Sequence, residues 1–135
     1  MRRWLATLGA AALIAAGLAS GAGATPAVPE RLLLTADEWD LTVSRTRLAP
    51  GPAIVELYNR GEDPHDVRIE RRGVERRGSK RVVAIPETPS QELSRIETTL
   101  RPNSRYVLWC SLEGHRELGM EAELRTGKLP PASRS

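Results

Sequence analysis

The sequence is short of the residues that usually staple a fold or crowd a reactive centre. It has one cysteine, Cys110, two histidines, His65 and His115, and a single methionine, Met120, beyond Met1. One thiol excludes a disulfide framework within the chain. Two imidazoles are too few for a histidine-rich cluster of several metals. After the amino-terminal segment no helical period is sustained and no internal repeat occurs, which speaks against a helical bundle or a solenoid. A run of about 20 apolar residues, the length a membrane-spanning helix needs, is also missing. The longest stretch, Leu5 to Leu18, fades into Ser20-Gly21-Ala22-Gly23.

That stretch follows Arg2-Arg3 and precedes Ala22-Gly23-Ala24, the order of charge, apolar run and small residues in an export signal. Residues 1–24 are therefore expected to be cleaved after Ala24; the competing reading is an uncleaved membrane anchor. Cleavage removes two arginines and no acidic residue, so the formal net charge falls from +3 to +1. A nearly neutral chain gives no support to nucleic-acid binding. In an oxidising compartment a lone cysteine is buried, reactive or metal-bound.

What is present reads as short strands. Residues 25–30, with two prolines, form a linker. Arg31 to Trp39 carries Leu32-Leu33-Leu34, and Trp39 and Leu41 are expected to continue onto the core face. Pro50-Gly51-Pro52 forces a turn before Ala53-Ile54-Val55-Glu56-Leu57-Tyr58, and Gly61, after Asn59-Arg60, is placed to take positive φ. From Pro64 onward, His65, Val67 and Ile69 alternate with Asp66, Arg68 and Glu70, which puts His65 on the apolar face. Arg71 to Arg81 is basic and glycine-punctuated, the composition of a solvated hairpin or of a docking patch. Val82 to Ile85 and Arg95 to Leu100 supply two more strands. In Arg105 to Cys110 the inward positions are Tyr106, Leu108 and Cys110; after the following loop they are Met120, Ala122 and Leu124. Residues 127–135, with Pro130-Pro131, are a frayed tail. The expectation is one all-β domain over residues 31–126, an antiparallel Greek-key β-sandwich of seven to eight strands.

The chemistry concentrates in Cys110-Ser111-Leu112-Glu113-Gly114-His115-Arg116-Glu117-Leu118-Gly119-Met120, a Cys-x4-His-x4-Met loop. A thiolate, a neutral imidazole and a thioether form the donor set of a soft, redox-active metal, and His65 at an inward strand start completes it. On its own segment, His65 reads first as a hydrogen-bonded core histidine. The same four donors suit tetrahedral zinc. Cys110 and His115 could also meet as a nucleophile pair, although no oxyanion device is recognisable.

Tyr106-Val107-Leu108-Trp109-Cys110, then Gly114-His115 and Gly119-Met120, with Asn59 to Asp66 upstream, resembles the cupredoxins of the plastocyanin and azurin superfamily. The four-residue gaps around His115 are most similar to auracyanin and rusticyanin. The resemblance spans residues 31–126 and implies a cupredoxin-like sandwich holding one type 1 (blue) copper ion. His65, Cys110 and His115 would be the ligands and Met120 the long axial one. It implies that Asp66, where the family usually has asparagine, ties the ligand loops together, that the Pro64 carbonyl precedes a ligand, and that Asn59 belongs to the supporting loop. It further implies electron exchange through the edge of His115, in a patch drawn from Leu112, Gly114, Leu118 and Gly119 with a charged rim of Glu113, Arg116 and Glu117.

The function so implied is an exported one-electron carrier between a redox donor and acceptor, monomeric and not an enzyme. Docking would occur near His115, with Arg71–Arg81 as a second contact. Multicopper enzymes need further histidine-rich sites, and the dinuclear copper centre of cytochrome oxidase needs a second cysteine. The alternative is an extracytoplasmic copper-delivery or copper-buffering protein that uses the same site.

Overall fold

The computed structural model describes residues 27–73 and 82–128. The expected signal segment, most of the tail and much of the basic Arg71–Arg81 stretch lie outside the described residues. Nine strands follow one another: β1 (Glu30–Asp37), β2 (Asp40–Val43), β3 (Arg47–Leu48), β4 (Gly51–Asn59), β5 (His65–Arg71), β6 (Val82–Thr88), β7 (Leu93–Leu100), β8 (Arg105–Trp109) and β9 (Glu121–Thr126). No helix long and apolar enough to cross a membrane occurs among the described residues.

The strands form a four-stranded sheet, β2-β1-β4-β7, and a five-stranded sheet, β3-β9-β8-β5-β6. Alternation decides which faces meet. Leu32, Leu34 and Ala36 of β1 and Ala53, Val55 and Leu57 of β4 point inward from one sheet. Val67, Ile69, Ile85, Leu108 and Leu124 meet them from the other, in one continuous core.

The sandwich is as expected, but the sheets are mixed and the strands among the described residues number nine. β1 pairs with β4 in parallel, and the two-residue β3 pairs in parallel with β9. After the β1–β2 hairpin the chain crosses to the far edge of the second sheet as β3. It then returns as β4 alongside β1, running the same way. Alternation and turn residues are alike for either strand direction, so the sequence pattern does not register this crossover. β3 is too short to leave a periodic signal.

This topology gathers three connections at one pole: the β1–β2 turn, the β4–β5 loop that leads into β5, and the loop from β8 into β9. Trp39 sits in that β1–β2 turn and is 39% exposed, so it is not the core residue expected of it; Leu41 does enter the core. The chain reverses at Asp37↔Asp40, which takes Trp39 out of the strand and leaves Leu41 in inward register on β2.

Candidate metal centre

His65 opens β5 and is fully buried. The residues before it are held by Asn59, also fully buried, whose Nδ2 donates to the Asp63 carbonyl at 2.8 Å and the Thr88 carbonyl at 2.9 Å. Its Oδ1 accepts from the Gly61 N–H at 2.9 Å. One side chain thus satisfies the loop's inward backbone groups and fixes where β5 begins. Pro64 stands exposed just ahead of His65.

Cys110 leaves β8 into the core with no exposed surface, and Met120 enters β9 equally buried. The Cys110 N–H donates to the Met120 carbonyl, and the Met120 N–H to that of His115, each at 3.1 Å. These bonds close the loop so that its three donor side chains converge. Gly119 is required at the closure: its φ is +126°, and a Cβ there would lie 3.0 Å from the Trp39 carbonyl oxygen.

The imidazole Nδ1 atoms of His65 and His115 are 3.2 Å apart. Cys110 Sγ lies 3.5 Å from the His115 nitrogen and 3.9 Å from that of His65. Metal bonds of about 2.0 Å to nitrogen and 2.3 Å to sulfur, spread at trigonal to tetrahedral angles, separate donors by about 3.3–3.7 Å. The triangle, with sides of 3.2, 3.5 and 3.9 Å, is close to the space around one ion and needs only small adjustment to hold it. With Met120 buried beside it in the same core cluster, the set fits a type 1 copper site.

Burial pushes the Cys110 thiol above the ordinary thiol range, opposed by the backbone N–H groups of Leu112 and Asp66. An ion binding there must displace a proton, and those N–H groups then face the thiolate.

Asp66 is hydrogen-bonded to Ser111. Its Oδ1 accepts from the Ser111 N–H at 2.6 Å and its Oδ2 from the Ser111 hydroxyl at 2.5 Å, joining the two ligand loops. Alternation puts Asp66 on the outer face, yet it is only 5% exposed, because Ser111 and Arg68 cover it. The Arg68 guanidinium lies 3.2 Å from Oδ2.

Around His115, Gly114, Leu118 and Gly119 are exposed, His115 is half-buried, and Leu112 is half-buried against the core. Arg116 turns back over the Trp109 ring, 4.5 Å from its centroid, and pairs with Glu121 at 2.6 Å. Among the charged rim residues, Glu113 and Glu117 remain exposed.

The β1–β2 turn brings two residues that the sequence reading did not place here. Glu38 Oε1 is 3.1 Å from His65 Nε2 and accepts the Asp63 N–H at 2.9 Å. That backbone bond is the main reason its carboxyl titrates below the usual range. Trp39 stands edge-on to His115, with ring centroids 4.9 Å apart. A signal for Glu38 does exist: the inward positions Leu32, Leu34 and Ala36 extend by period two to it, although the turn leaves the residue exposed.

No family model and no curated protein matches the chain. Solved structures do. Auracyanin A, a blue copper protein from the green thermophilic photosynthetic bacterium Chloroflexus aurantiacus, superposes with a TM-score of 0.59 at 14% identity, over 74% of this chain and 100% of its own. Reduced auracyanin from Roseiflexus castenholzii gives 0.59 at 12% identity, over 75% and 99%. Auracyanin B gives 0.59 at 13% identity, over 76% and 92%. The fold is the cupredoxin sandwich. Within it, the soft donors of this chain stand together at one pole.

Proposed function

We propose that this cupredoxin domain is a small one-electron carrier that works outside the cytoplasm with one copper ion. His65, Cys110 and His115 are its strong ligands and Met120 its axial one. The observation that carries this reading is the triangle of two Nδ1 atoms and Sγ, formed by side chains already held by backbone bonds.

Copper supplies the one-electron couple; the chain supplies rigidity. Loops cross-tied by Asp66, Asn59 and the Cys110–Met120 pairing hold the donors still, which keeps the reorganisation that accompanies electron transfer small. His65, Cys110 and Met120 have no exposed surface, so only His115 offers an edge to a partner. That arrangement suits passing electrons. Handing over the ion itself would require partner ligands to reach buried donors.

Export with cleavage after Ala24, a monomeric state, and docking of donor and acceptor at His115 belong to the same reading. The exposed surface there combines Leu118, Gly114 and Gly119 with Trp39. Of the basic stretch, Arg72 faces Glu121 and Glu123 at 3.6 and 3.9 Å; Arg76, Arg77, Lys80 and Arg81 stay a proposed second contact.

The test is retention. Copper-loaded protein, oxidised and reduced repeatedly in the presence of a Cu(I) chelator, should keep both its copper and its colour. Loss of the ion to the chelator in the reduced state would favour delivery over electron carriage.

A further inference from the structure

We propose that Glu38 is a positioning residue for the metal centre: its carboxylate fixes the His65 imidazole with Nε2 protonated and Nδ1 bare, and its negative charge favours Cu(II) over Cu(I). The proposal rests on the copper reading above for its second half only.

A histidine offers a metal one nitrogen, and the bond made by the other nitrogen decides which. Here His65 Nδ1 faces His115 and Cys110, while Nε2 lies 3.1 Å from Glu38 Oε1. A carboxylate accepts and never donates, so this contact requires a proton on Nε2 and frees Nδ1 for the ion.

The carboxylate is itself held from two sides. The Asp63 N–H donates to the same Oε1 at 2.9 Å. Gly61, buried beneath it, leaves the space it occupies: a Cβ at position 61 would lie 2.7 Å from Glu38 Cδ. Gly61 does not adopt positive φ, so the conformational role expected of it gives way to this steric one. The geometry is therefore built jointly by the β1–β2 turn and the β4–β5 loop.

Two carboxylates approach the centre, and their surroundings differ. Asp66 has Arg68 at 3.2 Å. No arginine or lysine pairs with Glu38 among the described residues; its partners are His65 and backbone N–H groups. Among the described residues no cation offsets its charge, and although the residue is exposed its Oε1 lies one hydrogen bond from a ligand ring, so the more positive oxidation state gains from it.

Two measurements test the proposal. In metal-free protein, 15N NMR of the His65 ring should report a single tautomer, protonated at Nε2, in the wild type and in Glu38→Gln, whose amide oxygen still accepts. Glu38→Ala and Gly61→Ala should give a mixture. In copper-loaded protein, Glu38→Gln should keep the blue band and show a raised reduction potential, and Glu38→Ala should lose about 10–100-fold in Cu(II) affinity, the range for partners of metal-bound histidines. An unchanged His65 tautomer in Glu38→Ala overturns the positioning role. A Glu38→Gln potential equal to or below that of wild type overturns the charge role. A wild-type protein that binds copper without colour overturns the carrier reading, while the tautomer result still decides the role of Glu38.

Discussion

Asp66 and Cys110 show how single side chains set the properties of the centre. An asparagine at position 66 would keep an oxygen to accept from the Ser111 N–H and would donate from Nδ2 to the Ser111 hydroxyl, so the replacement removes the charge while keeping a tie between the loops. Asp66→Asn should raise the reduction potential, because Cu(II) loses a nearby negative charge. Arg68, 3.2 Å from Asp66 Oδ2, offsets part of the charge that is lost. Cyclic voltammetry of the variant checks the direction, and a fall in potential for Asp66→Asn would contradict this. Cys110 makes a prediction about the metal-free protein. Its thiol is raised in the folded state by burial, so the folded chain holds that proton more tightly than the unfolded chain. The resulting stability is fully present below the ordinary thiol value of about 8.5 and is lost as pH rises beyond it. Thermal melts of metal-free wild type should fall more steeply above about pH 8.5 than those of Cys110→Ser, which has no thiol to ionise. Parallel pH profiles would contradict this.

At the scale of elements, three connections do the holding and strands only deliver them. The 110–120 loop carries three donors, the β4–β5 loop aims the fourth, and the β1–β2 turn lays Glu38 on His65 and Trp39 on His115. Asn59 is the pin of the middle connection. Its three bonds reach Gly61, Asp63 and Thr88, and truncation strands a buried N–H and two carbonyls. Asn59→Ala should therefore cost about 2–4 kcal/mol, visible as a lower urea midpoint. It should also broaden the His65 environment, since the loop that starts β5 is freed. A loss below about 0.5 kcal/mol, the scale of an ordinary surface change, would show that the loop is held by other means.

For the whole molecule, much was legible in the sequence where a rule of period two applied. His65, Cys110 and Met120 fall on inward positions, and the structure buries all three. His115 follows from its place midway between Cys110 and Met120 in the same Cys-x4-His-x4-Met loop. What did not follow depends on contacts between distant segments. Glu38 lies 27 residues from His65, and nothing local says which turn shares a pole with which loop. The same holds for β1 beside β4 in parallel, and for Gly61, whose missing side chain makes room for a residue of another hairpin. Trp39 is expected on the core face as a continuation of the first strand, while the hairpin turn places it outside, against His115.

The central claim is that four side chains on this scaffold hold one copper ion with a thiolate bond. Titration of the purified protein with Cu(II), followed in the visible spectrum, tests it most directly. The account predicts an intense blue thiolate-to-copper band that saturates at one equivalent, bleaches on reduction, returns on reoxidation and is absent from Cys110→Ser. A colourless complex, or a band that survives in Cys110→Ser, would contradict it.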